Sequence, residues 1–139
     1  GGAWSAAAAK DYMDTTFVSF NEANGNMIEL VICNNDGMAE GVIASLQDKG
    51  YNKGGAHVVP VFGVDATDNA KALIADGAMT GTIKQDAQGM AAAVAQATKA
   101  IVDGAAPADA LAGLNDARFS LDAECASKLY VAYAPYTGE

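Results

Sequence analysis

Positive charge is scarce in this chain. Its 139 residues carry 8 Lys and Arg against 17 Asp and Glu, a formal charge of −9. A phosphate-backbone binder needs clustered cations, so this balance argues against nucleic acid and favours neutral or cationic partners. Long apolar runs are lacking too. No stretch is long and apolar enough to span a bilayer, and no basic start followed by an apolar segment marks an export signal. The chain begins Gly1-Gly2-Ala3, a start compatible with removal of an upstream sequence.

Side chains for catalysis are few. His57 is the one histidine; it sits in a glycine-rich loop and reads as a turn or surface residue, not a base. The two cysteines, Cys33 and Cys125, form no metal pattern and read as small core or free thiols, not a disulfide. There is no G-x-S-x-G nucleophile elbow and no G-x-G-x-x-G after a strand. Gly54-Gly55 forms no phosphate-cradling loop. Asp65 and Asp86 can be imagined as an acid–base pair, but no local pattern sets the separation a glycosidase needs. We expect no enzyme and no cofactor within the chain.

What is present is apolar material in short runs. At 51% apolar, the chain can build a core, and its length fits one domain or a piece of a larger one. Three runs each end in polar side chains. Met27–Cys33 leads into Asn34, Asn35 and Asp36; Val58–Val64 into Asp65; Thr80–Lys84 into Gln85 and Asp86. If the runs are parallel strands, these amides and carboxylates gather along one sheet edge, where open α/β folds bind small polar ligands.

Helices separate the runs. Ser5 to about Phe20 reads as a helix capped by Ser5, with Ala9, Met13, Phe17 and Phe20 on one face. Met38–Lys49 is a second, stopping at Gly50. Its Met38, Val42, Ser45 and Leu46 lie on or near one face. Thr67 or Asp68 caps a third through Asp76, with Ala70, Leu73 and Ile74 inward and Gly77 at the stop. Gly89–Asp103 is a fourth, rich in alanine. Val31 and Ile32 suit a strand buried on both faces, and Pro60 must sit at a strand start or edge because it lacks an N–H. Gly104–Gly113 reads as connection, and Arg118–Leu121 and Leu129–Tyr133 as short strands. A helix in a parallel sheet normally follows a strand, so we read the opening helix as the start of a fragment, a cleaved product or a truncated chain.

Several polar residues fit two roles. Asn35 can donate and accept through one amide, which suits a sugar hydroxyl. Asp36 fits a helix cap or a ligand contact. Asp65 can accept two hydroxyl hydrogen bonds, or close an Asx-turn before the Thr67 helix. Gln85 occupies the corresponding point after the third strand, with Asp86 beside it to hold the turn. Trp4, the one tryptophan, can pack on the C–H face of a pyranose or staple onto the first helix.

Glu29-Leu-Val-Ile-Cys-Asn-Asn-Asp36, Val61-Phe-Gly-Val-Asp65 and Gly81-Thr-Ile-Lys-Gln-Asp86, in this order and spacing, resemble the periplasmic galactose/glucose-binding proteins of the ribose/galactose-type sugar-binding family. The resemblance runs from Trp4 to about Tyr136. It implies a periplasmic-binding-protein type I α/β fold, two lobes joined by three hinge crossings, with sugar between them. Residues 1–86 would be a partial C-terminal lobe. Residues 87–128 would be a hinge crossing and a helix of the N-terminal lobe, and 129–139 the return. It implies non-enzymatic capture of a monosaccharide, galactose or glucose, at the periplasmic or extracellular face, and delivery to the membrane subunits of an ABC transporter. Some members also signal to a chemoreceptor.

By the same resemblance, Trp4 stacks on the sugar while Asn35 and Asp65 hold hydroxyls. Gln85 stands where galactose/glucose proteins usually have asparagine and ribose-type relatives have glutamine, one methylene longer, which can change hydroxyl selection. Glu29 resembles the glutamate that completes a calcium site whose other oxygens come from an earlier loop, absent from this sequence. One carboxylate makes no site. Truncation would expose apolar faces and favour self-association. The rival function is the effector domain of a sugar-responsive transcriptional repressor, marked by an upstream helix-turn-helix. An upstream lipidated cysteine or secretory signal marks the transporter protein instead. An open α/β enzyme acting on sugar is a second rival.

Overall fold

Each helix in the first two-thirds of the chain begins at a short polar side chain that takes up an otherwise orphaned backbone N–H. Ser5 Oγ accepts from the Ala8 N–H, Asn35 Oδ1 from Met38 at 2.8 Å, Thr67 Oγ1 from Ala70 at 3.2 Å and Asp86 Oδ1 from Gly89 at 2.9 Å. The structure is a computed structural model and describes residues 3–138. Its elements are α1 (Ala6–Ser19), β1 (Val31–Ile32), α2 (Asp36–Asp48), β2 (Val61–Val64), α3 (Asp68–Ala75), β3 (Gly81–Lys84), α4 (Ala87–Val102), α5 (Pro107–Ala112), β4 (Phe119–Leu121), β5 (Leu129–Val131) and β6 (Ala134–Tyr136).

The chain divides into two units. The first runs through Lys84 and takes up the chain again from Pro135; the second is Gln85–Ala134. In the first unit one sheet has the order β1-β2-β3-β6. Strands β1, β2 and β3 are parallel, with Val31 opposite Val61 and Val64 opposite Ile83. Pro60 precedes β2 and, lacking an N–H, joins the ladder through its carbonyl, which accepts from the Val31 N–H at 2.9 Å. The core joins Ala9, Met13 and Phe17 of α1 to Val42, Ile43 and Leu46 of α2, Val61 of β2, and Ala70 and Ile74 of α3. Ile43, Leu46 and Val61 are fully buried, each worth about 1.5–3 kcal/mol.

Helices α1 and α2 run in the same direction. Ala6 meets Gly41, where a Cβ would run into the Ala6 carbonyl. One to two turns further along, Ser45 Oγ donates to Asp14 at 2.6 Å, and Lys10 bridges Asp14 and Asp48 at 2.9 and 2.8 Å. The Ser45 hydroxyl and then the Lys10 ammonium hold the Asp14 carboxyl below its ordinary range. Gly41 costs helix propensity but lets the two backbones approach.

A buried amide closes the loop before β2. Asn52 is 0% exposed; its Nδ2 donates to the carbonyls of Val59 and Ala78 at 2.8 Å each, and its Oδ1 accepts from the Val59 N–H at 2.9 Å. It sits at φ 49°, a left-handed conformation that asparagine tolerates better than most residues.

Three expectations need correction. Phe20 is 49% exposed, because α1 ends at Ser19 and Phe20, its C-cap, leaves the helical face. Ile32 is 74% exposed and not buried on both faces, because β1 lies at the edge of the sheet. The stretch after α4 holds a helix, α5, opened by Pro107 at its first turn, a position that suits proline's fixed φ.

In the second unit α4 and α5 pack through alanines, with Ala93, Ala97 and Ala110 buried. Strands β4 and β5 pair antiparallel, Phe119 opposite Val131. Arg118 joins Asp86 at 2.8 Å and Asp116 at 2.6 Å.

Candidate functional site

Because β1, β2 and β3 are parallel neighbours, the residues that follow their ends lie along one edge of the sheet. Asn35 follows β1 and Asp65 follows β2, so these two predicted residues share that edge within the first unit. Trp4 lies two residues before α1, whose first residue, Ala6, meets Gly41 of α2. Gln85 directly follows β3 in the chain and falls in the second unit.

Asn35 caps α2 through Oδ1, leaving its Nδ2 group as the donor it can offer elsewhere. The expected helix-cap role of Asp36 is therefore corrected: Asp36 sits inside the first turn and points into the fold. Asp65 is exposed and lies at φ 121°, followed by Ala66 at φ 55°. Two consecutive non-glycine residues at positive φ are costly, and such strain persists where the surroundings over-determine it. Trp4 also has positive φ, 59°, and is 68% exposed. An aromatic stapled down on α1 would be covered; this ring is open. Gln85 is half-buried, and its Oε1 accepts from the Tyr133 hydroxyl at 3.2 Å.

The strained turn has a support that sequence reasoning missed. Asp36 is 0% exposed. Its Oδ1 accepts from the Thr82 hydroxyl of β3 at 2.6 Å, and its Oδ2 accepts from the Thr67 N–H at 2.8 Å. One carboxylate thus ties the end of β1 to the loop after β2 and to β3. Gly63 makes room for it, since a Cβ there would run into Asp36 Oδ1. Two sequence signals pointed this way without being read: a glycine inside a strand, which marks close approach, and a hydroxyl at Thr82, between Gly81 and Ile83 of β3.

Glu29 is exposed, just before β1. Among the described residues, no group of three His, Cys, Asp or Glu side chains gathers to hold a metal, and one carboxylate does not fit the oxygen-rich shell that calcium requires. Cys33 is buried, which pushes its thiol pKa up, and Cys125 is exposed; both are free thiols. His57 is exposed, with its ring edge-on to Tyr51. The edge therefore offers an amide and a carboxylate, groups that suit a neutral polyhydroxylated molecule, and Trp4 is exposed before α1.

Residues 1–106 match the family model described as a periplasmic binding protein domain. The chain belongs to this family. Over 103 residues it is 38% identical to the D-galactose/methyl-galactoside binding periplasmic protein MglB of Haemophilus influenzae, a match covering 74% of this chain and 28% of that protein. The periplasmic binding protein chain thus spans under a third of that curated relative. Its fold is similar to an ABC transporter periplasmic solute binding protein from Actinobacillus succinogenes with bound D-allose (TM-score 0.68, 22% identity, 99% of this chain and 39% of that one). It is also similar to a solute binding protein from Clostridium phytofermentans with bound beta-D-glucose (TM-score 0.59, 29% identity, 81% and 32%). The fold is the periplasmic-binding-protein type I α/β arrangement, present here in part.

Proposed function

We propose that the protein to which this chain belongs captures a monosaccharide reversibly, without chemistry, and presents it to the membrane subunits of an ABC transporter in the periplasm. The observation that carries this is the shared sheet edge, where the strained Asp65–Ala66 turn and the capping Asn35 lie beside each other after parallel strands. Asp65 accepts hydroxyl hydrogen bonds, the Asn35 amide donates to a ring or hydroxyl oxygen, and Trp4 covers an apolar sugar face. Galactose or glucose is the preferred sugar, supported by the identity to the D-galactose relative; the allose-bound neighbour makes other hexoses the natural comparison.

The change of unit after Lys84 supports a lobe crossing there, and closure of two lobes would exclude water from the bound sugar. Isothermal calorimetry on the full-length parent with a panel of hexoses, pentoses and inositols tests the assignment. One or more hexoses should bind with clear saturation. Silence toward every monosaccharide would overturn it.

A further inference from the structure

The three backbone N–H groups of the turn after β2 are all engaged by its neighbours. Asp65 donates to the Ile83 carbonyl at 2.8 Å, Ala66 to Thr82 Oγ1 at 3.3 Å and Thr67 to Asp36 Oδ2 at 2.8 Å. The middle bond belongs to a directional chain. Thr82 Oγ1 accepts from Ala66 and donates its own hydrogen bond to Asp36 Oδ1 at 2.6 Å. Both Asp36 oxygens accept here, which fixes the hydroxyl's direction and leaves the Thr82 oxygen lone pair turned to Ala66. Asp36 and Thr82 are both buried, at 0% and 3% exposed. Neither reaches solvent to touch a ligand. The turn they hold contains two consecutive non-glycine residues at positive φ, Asp65 and Ala66, a backbone course that three engaged N–H groups can impose and a mobile loop would abandon.

We propose that Asp36 and Thr82 are positioning residues for the binding site, setting affinity through the orientation of Asp65. The proposal rests on the carbohydrate assignment above. Asp65 then sits on a rigid shelf instead of a mobile loop, and binding loses less conformational entropy. The same chain reaches the other ligand-side residue, because Asp36 directly follows Asn35. A shift of the Asp36 carboxylate would move the first turn of α2 and the capping amide with it.

The test uses the full-length parent, calorimetry with D-galactose and D-glucose, and thermal melts in parallel. Thr82→Val keeps the β-branched shape and removes the hydroxyl. It should weaken binding about tenfold, within the range of coupling inside one hydrogen-bond network. Thr82→Ser, which retains the hydroxyl, should restore most of the affinity. Asp65→Asn should weaken binding by itself, and adding Thr82→Val to it should cost clearly less than in the wild type, since the orientation of a poorer ligand group matters less. If Thr82→Val does not fold, Asp36→Asn takes its place with the same two expectations. A folded variant that binds like the wild type, or penalties that simply multiply in the double variant, overturns the positioning role while sugar binding by the wild type stands. Silence of the wild type toward both sugars and the wider panel removes the carbohydrate assignment and this role together.

Discussion

Replacing Asn52 removes three buried hydrogen bonds at once and separates two causes of stability. In the native fold its side chain serves the Val59 N–H, the Val59 carbonyl and the Ala78 carbonyl, all within 2.9 Å. Deleting it leaves three buried backbone groups without that partner, each costing about 1–3 kcal/mol before relaxation. Shared relaxation and entry of water bring the expected loss for Asn52→Gly to about 3–5 kcal/mol. Asn52→Ala should lose about 1 kcal/mol more, because a Cβ at φ 49° carries a left-handed penalty that glycine avoids. Against a typical domain stability of about 5–15 kcal/mol, either change is severe. Urea denaturation followed by circular dichroism measures both. A loss below about 1 kcal/mol for both variants would refute the claim that these bonds hold the loop, and an alanine variant as stable as the glycine variant would refute the backbone part.

Other substitutions probe the helix pair and the edge. Gly41→Ala should destabilise by up to about 2 kcal/mol, since about 1–3 kcal/mol of overpacking against the Ala6 carbonyl outweighs the roughly 1 kcal/mol that alanine gains in helix propensity; a melt at or above the wild-type midpoint would contradict the close approach. Trp4→Ala in the full-length parent should weaken hexose binding about tenfold with little change in melting temperature, as expected for an exposed aromatic whose work is at the ligand; calorimetry decides. In the second unit the Tyr130 hydroxyl and then Lys128 pull the Asp122 carboxyl down from 3.8 to about 2. A depressed folded pKa stabilises above the unfolded value, so this contribution is present above about pH 4 and is lost as pH falls toward 2. Tyr130→Phe should raise the Asp122 pKa, read by NMR titration; an unchanged value would remove the hydroxyl as the first cause.

Local chemistry made much of the architecture legible from residues alone. Ser5 and Thr67 announced helix starts because a short polar oxygen meets orphaned N–H groups wherever a helix opens. Apolar runs ending in Asn35, Asp65 and Gln85 announced strand ends, and three parallel strands carry them. Those signals depend on neighbours within a few positions. Pro107 carried one as well, at the first turn of α5, although the stretch reads as connection. Other decisions needed the third dimension. Whether Asn35 or Asp36 caps α2 depends on what each can reach, and Asp36 reaches Thr67 and Thr82, 31 and 46 residues away. Ile32 is apolar but exposed, because burial is set by a strand's place in the sheet and not by its composition. Asn52 looks like any loop asparagine until Val59 and Ala78 close around it. Periodicity and capping belong to the chain's own geometry, so the sequence determined the elements and their order. The clamp behind the Asp65 turn is an agreement among distant residues, and only their packing decided it.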